Sequence, residues 1–290
     1  MTTPFAIAGL QLATSGLRSN LPYLRARLDH AMMLFPWVDM VVFSELAAYG
    51  PALKFAQPLE GKGQQAFAEM AARHKLWIVN GSIFEKSADG KIYNTASVFN
   101  PQGEVVGRHR KMFPFRPYEK DVAAGTEFLT FDVPEVGRFA VSICYDMWFP
   151  ETTRTLACLG AEVILHPTLT GTLDRDIELS IARASAAINQ CYFFDINGVG
   201  AGGGGRSIVV GPDGDIIHQA GPTEEVIPLE IDLDRVRRGR ERGLLGLAQP
   251  LKGFRDAPID FPVGLRNAPG REFLDTLGPL VKPGRAGGLT

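Results

Sequence analysis

Phe139 to Glu151 reads FAVSICYDMWFPE, and this stretch organises the chain. Phe139 to Ile143 is an apolar run of buried-strand type. It leads directly into a cysteine, an Asp, aromatic residues, and a Pro and Glu suited to opening a helix. Cys144 is therefore expected at a strand-to-helix turn, where a thiol points out of a sheet towards amides able to hold an anion. Taken alone, the stretch serves equally for a nucleophile and for a small core cysteine.

Upstream, FAIAGLQLA (Phe5 to Ala13) predicts a strand covered on both faces, and Asn20 to Phe35 carries apolar residues at helical spacing. VDMVVFSE (Val38 to Glu45) is a second buried strand ending on a carboxylate, Gly61 to His74 a second helix, and WIVNGSIFE (Trp77 to Glu85) a third strand. Strand, helix, strand, helix, strand is the order of an α/β sheet. IYNTASVFN and VVGRHRKMF, set off by ADGK and PQGE, read as antiparallel strands. A loop rich in Pro and aromatics (Pro114 to Gly125) precedes the hairpin into Cys144. Downstream, Glu151 to Leu159 suits a helix, VILHPT a strand, Asp174 to Asn189 a long helix, and three further strands end near Leu233. Strands this apolar need cover on both faces, so two packed sheets with helices outside are expected.

The 290 residues are 45% hydrophobic with a formal net charge of -2, and basic residues form no continuous face, so nucleic acid is not an expected partner. No apolar run approaches the roughly 18 residues of a membrane span, and no charged leader opens the sequence, so a cytoplasmic location is expected. Cys144, Cys158 and Cys191 lack paired spacing, which argues against disulfides and zinc. Cys158 and Cys191 are expected in the core, and neither a metal nor a cofactor is expected. GAGGGGRS (Gly200 to Ser207) lacks the ending of a phosphate loop and is expected to be a flexible loop beside a pocket. The Pro- and Gly-rich end is treated as an extension, 239–290, following a domain of residues 1–238, and is expected to drape over a partner subunit.

A nucleophilic thiol needs a base, a cation or amide donors for its oxyanion, and a proton source for the leaving amine. None of the five histidines is persuasively placed. Glu45, closing an apolar strand, serves as a base if buried or as a surface cap if not. Lys111, followed at once by aromatics, is either turned inward or part of a solvated patch with Arg108 and Arg110.

FSELAAYG at Glu45, RKMFPF at Lys111 and ICYDMWFPE at Cys144 together resemble the Glu, Lys, Cys triad motifs of the nitrilase superfamily of carbon-nitrogen hydrolases, over Phe5 to about Leu233. PYEK places Glu119 where the superfamily's amidases carry a second Glu. The resemblance implies a four-layer αββα sandwich, a homodimer or higher homo-oligomer, and a thioester on Cys144. Glu45 is then the base, Lys111 and the Tyr145 amide hold the oxyanion, and Glu119 assists. Arg183, Asn189 and Asn197 are assigned to structure. CYDMWFPE resembles the amidase branch, with Trp148 where related sequences have Arg, which points to a neutral or aromatic amide. An N-carbamoyl amino acid amidohydrolase is the alternative, followed by a nitrilase, an inactive scaffold and a cysteine protease. Tyr49, Tyr145 and Trp148 are the expected substrate-binding residues, and Leu169 to Asp176 is expected to flank the pocket.

Overall fold

The computed structural model describes residues 3–261 and 271–281. The first third folds as β1 (Pro4–Gln11), α1 (Leu21–Leu34), β2 (Met40–Phe43), α2 (Lys62–His74) and β3 (Trp77–Val79). The expected single strand from Trp77 to Glu85 breaks after Val79 and resumes as β4 (Ile83–Lys86); both pieces pair with β5 (Ile92–Phe99). Gly81 makes the break: its φ is +75°, and an added Cβ would lie 1.8 Å from the Ser44 carbonyl oxygen. Only glycine accepts both conditions. β6 (Val105–Arg110) and β7 (Val122–Ala123) pair with the other edge of β5.

The second half supplies β8 (Leu129–Val133), β9 (Gly137–Val141), α3 (Pro150–Cys158), β10 (Val163–Thr168), α4 (Arg175–Asn189) and β11 (Tyr192–Asn197). The glycine run is not a free loop. It forms a small ribbon, β12 (Val199–Gly200) with β13 (Gly203–Gly204), before β14 (Ile208–Val210) and β15 (Ile216–Gln219). β16 (Glu225–Asp232) then returns to the first sheet and pairs antiparallel along all of β1. Among the described residues the sheet orders are β16-β1-β2-β3-β5-β4, with β6 and β7 beside β5, and β15-β14-β11-β10-β9-β8.

Alternation along the strands builds the layers. Ile7, Met40 and Val42 meet Val163, Leu165, Phe194 and Ile196 between the sheets. Ala8, Leu10, Val41 and Phe43 turn instead towards α1 and α2, while Ile164 and Phe193 turn towards α4. The result is the expected αββα sandwich, and burial on both faces is why the strands read as continuous apolar runs. Gly9 lets the sheets approach closely: an added Cβ would lie 2.3 Å from Ile196 Cδ1.

α5 (Leu233–Arg242) runs through the expected boundary at 238/239, anchored by Arg237 on Glu162 and Arg240 on the Ala161 and Gln190 carbonyls. α6 (Pro250–Asp256) packs on α4 of its own chain, with the Arg154 guanidinium 5.2 Å from the Phe254 ring. In and around α7 (Arg271–Asp275), Phe273, Leu277 and Leu280 are exposed. Residues 262–270 and 282–290 of the expected extension lie outside the described residues. One cysteine expectation is corrected: Cys191 is buried, but Cys158 ends α3 on the helix's solvent side and is exposed.

Candidate active site

Two tight turns at strand ends face each other. After β2, Leu46 takes φ +53°, its amide donates to Ser82 Oγ at 3.0 Å, and the Glu45 amide reaches across to the Thr168 carbonyl at the end of β10. After β9, Cys144 itself takes φ +47° and opens a 3₁₀ turn running to Trp148. A non-glycine residue in the left-handed region is held there by its surroundings. Asp146 does the holding. Its fully buried carboxylate accepts from the Ile143, Met112 and Phe113 amides at 2.9 to 3.0 Å and from His109 Nε2 at 2.9 Å. The Cys144 turn and the Lys111 segment are thereby fastened to one side chain.

Glu45, Lys111, Glu119, Cys144 and Tyr145 line one cavity of about 190 Å³, room for a small molecule. Lys111 is turned inward and only 2% exposed; its Nζ donates to Glu45 Oε1 at 2.9 Å and to Glu119 Oε2 at 3.0 Å. Asn94 Nδ2 also donates to Glu45 Oε1, at 2.7 Å, and the Phe115 amide holds Glu119 Oε2 at 2.5 Å. Burial removes the surface alternative for both residues: Glu45 is not a solvated cap of its strand, and Lys111 is turned inward rather than part of a solvated patch.

Burial raises the Glu45 carboxyl above its ordinary value, opposed by Lys111 and supported by Glu119. Lys111 goes well above its ordinary value because Glu45, Cys144 and Glu119 outweigh the desolvation of its ammonium. Burial also raises the Cys144 thiol, with the Glu45 charge adding to it and Lys111 opposing it. Burial and the Glu45 charge thus favour the thiol form of Cys144, while Lys111 favours the thiolate. At Asp146, burial favours the neutral acid, but His109 and the amides outweigh it, and the pKa is lowered.

The expected substrate residues divide. Tyr145 lines the cavity, beside Phe115 at 5.0 Å between ring centroids. Tyr49 and Trp148 are not among the lining residues: Tyr49 stacks on Phe55 with its hydroxyl 3.4 Å from Gln57, and Trp148 turns its indole N–H to Glu178 Oε1 at 3.3 Å. Each ring has a polar partner of its own, Gln57 for Tyr49 and Glu178 for Trp148. Leu169 to Thr172, Asp174 and Gly202 do line it, so the segment after β10 and the glycine ribbon flank the pocket. Asn197 serves structure by clamping both backbone groups of Thr170.

Sequence reading missed Glu178 and Asn94, whereas Thr170 falls within the segment expected to flank the pocket. The signal for Glu178 was present: Arg175 and Glu178 share the buried stripe of α4 with Leu179, Ala182 and Ala186, and charges on such a stripe need a partner. Among the described residues no cluster of His, Cys, Asp and Glu is arranged to hold a metal, and no helix is long and apolar enough to cross a membrane.

A cysteine, a raised carboxyl and a buried ammonium at converging strand ends of an αββα sandwich define a thiol hydrolase. The profile of the carbon-nitrogen hydrolase family matches residues 7–241, and the chain belongs to that family. It is 26% identical over 260 residues to omega-amidase NIT2 of Homo sapiens, covering 83% of this chain and 93% of the relative. The crystal structure of Saccharomyces cerevisiae Nit3, described as a member of branch 10 of the nitrilase superfamily, superposes with a TM-score of 0.77 at 28% identity, covering 82% of this chain and 94% of that one. A carbon-nitrogen hydrolase from Helicobacter pylori G27 superposes at 0.79 and 27% identity, covering 91% and 99%. The chain is a cysteine-dependent hydrolase of amide carbon–nitrogen bonds.

Proposed function

We propose that the substrate is a small neutral carboxamide, cleaved to carboxylic acid and ammonia through a thioester on Cys144. The observation that carries this reading is Lys111, buried between Glu45 and Glu119 on the wall that also holds Cys144. The Asn94 and Lys111 hydrogen bonds both fall on Glu45 Oε1, which leaves Oε2 for the thiol proton. As the sulfur attacks the carbonyl carbon, the remaining N–H of Lys111 and the Tyr145 amide receive the oxyanion. Glu45 returns the proton to the departing ammonia and then activates the water that hydrolyses the thioester. Glu119 fixes the ammonium from its far side.

Charge supports a neutral acyl group. Among the described residues the cavity is lined by Glu45, Glu119, Asp174 and Glu178, and Lys111 is its one cation, already bonded to two carboxylates. A substrate carboxylate, as on a dicarboxylic acid monoamide or an N-carbamoyl amino acid, would meet these acids without a free cation. Tyr145 and Phe115 on the lining suit an apolar or aromatic acyl group. A homo-oligomeric, cytoplasmic enzyme with the exposed apolar tail side chains resting on a second subunit completes the reading.

The test is ammonia release from neutral aliphatic and aromatic amides, dicarboxylic monoamides, N-carbamoyl amino acids and nitriles, with Cys144→Ala as the blank. Release from the neutral amides, absent in the variant, is expected. Turnover confined to the anionic compounds would reject the neutral-substrate reading.

A further inference from the structure

Beside Cys144, and partly on the cavity wall, lies a buried polar chain that the amide chemistry above does not use. Arg175 Nη1 is 3.1 Å from Glu178 Oε2 and 2.8 Å from Asp195 Oδ2. Glu178 Oε1 accepts from Thr170 Oγ1 at 3.1 Å, and Thr170 Oγ1 is itself 3.8 Å from Cys144 Sγ. Asn197 holds the Thr170 amide and carbonyl at 2.9 and 2.8 Å, so the hydroxyl proton is the part of the residue left free to turn.

That hydroxyl has one proton to give. An ionised Glu178 claims it, and the Thr170 oxygen can then only accept from the Cys144 thiol. A protonated Glu178 donates to Thr170 instead, which frees the hydroxyl proton for the sulfur and favours thiolate.

We propose that Thr170 and Glu178 form a proton-linked relay that sets the hydrogen bond at the Cys144 sulfur, holding the thiol when Glu178 is ionised and supporting the thiolate when it is protonated. Both line the cavity, and both are positioning residues here, acting on the reaction through the sulfur. Burial, helped by Asp195 and opposed by Arg175 and Trp148, pushes Glu178 up to about 7, so both states are populated near neutrality. Asp174 and Arg175 face it from its own segment, Asp195 from β11, and Cys144 from the 3₁₀ turn. Glu45, Lys111 and Glu119 face it across the cavity. His166 on β10, next to Asp195, is pushed down to about 4 by burial and stays neutral over this range.

The relay rests on Cys144 as the nucleophile, so it is measured on the sulfur itself. The probe is iodoacetamide, with alkylation of the Cys144 peptide followed by mass spectrometry because Cys158 is exposed and also reacts. This needs no substrate, so failure of the amide reading leaves the result interpretable. The wild-type rate is expected to show an inflection near pH 7 besides the thiol titration. Glu178→Gln should remove it and raise the rate above pH 7 several-fold. Thr170→Val should also remove it, Glu178→Gln should add nothing in that background, and Thr170→Ser should restore it. Thr170→Ala is the second hydroxyl-free variant if the valine chain does not fold. An inflection that persists without the hydroxyl, or an equal effect of Glu178→Gln with and without it, would overturn the relay and leave only charge acting through space.

Discussion

Two buried charge clusters flank the cavity, each with one cation between two carboxylates. Lys111 lies between Glu45 and Glu119, and Arg175 between Glu178 and Asp195, with side-chain exposures of 2% for Lys111 and 4% for Arg175. Their composition is nearly the same and their roles differ. All three members of the Lys111 cluster line the cavity, whereas only Glu178 does so from the other. An ammonium has rotatable donors that can be shared with a developing oxyanion, while a guanidinium fork is committed to a fixed set of acceptors. Access to the cavity and donor geometry, rather than charge count, separate the reacting cluster from the supporting one.

Removing each cation breaks the comparison most sharply. Lys111→Met should lower kcat/KM for the best amide by ~10³-fold or more, read by ammonia release, because an oxyanion donor and the partner of both acids are lost together. Arg175→Met should instead act on stability. Glu178 and Asp195 are left buried without their cation, at a cost of about 3–5 kcal/mol in urea unfolding, while kcat of the folded fraction stays within ~10-fold of wild type. Equal losses of activity in the two variants would erase the distinction.

The pH dependence of stability sharpens it. Burial raises the Glu178 pKa to about 7 in the fold, from an ordinary carboxyl value of 4.5. The folded state therefore holds a proton that the unfolded chain has released between those values, and stability falls as pH rises through that window. Glu178→Gln removes this slope, so its stability relative to wild type should increase between pH 5 and pH 8 by about 3 kcal/mol, measured by unfolding at both pH values. A pH-independent difference would contradict the assignment.

The smallest effects belong to the two expected substrate aromatics that are not among the lining residues. Trp148→Phe deletes a hydrogen bond that lowers the Glu178 pKa, so stability should drop by about 1 kcal/mol and the Glu178 transition should move upward in pH, with KM within about twofold of wild type. A large KM change would return Trp148 to the substrate. Tyr49→Phe loses one long contact to Gln57 and should leave kcat/KM unchanged.

Much of the fold was readable because burial on both faces leaves a visible trace. Strands such as Phe5 to Leu12 and Phe139 to Ile143 are apolar at consecutive positions, and the intervening helices carry a 3.6-residue period. The break at Gly81 was not readable as a break, since its cause is the Ser44 carbonyl, distant in sequence. Nor was the course of the extension, where α6 is held by Arg154 and its neighbours on α3 and α4 rather than by its own periodicity.

The same division runs through the site. By itself the sequence determined that a cysteine, a glutamate and a lysine stand at strand ends in the order of the nitrilase motifs, because strand ends and their flanking residues are local features. Tertiary structure alone decided that Lys111 bridges Glu45 and Glu119, that Asp146 fastens the Lys111 and Cys144 turns together, and that Tyr49 and Trp148 are not among the residues lining the cavity. It also brought Glu178 to within one hydroxyl of the sulfur. Desolvation and ion pairing depend on distances between segments far apart in the chain, and those distances exist only once the two sheets have packed.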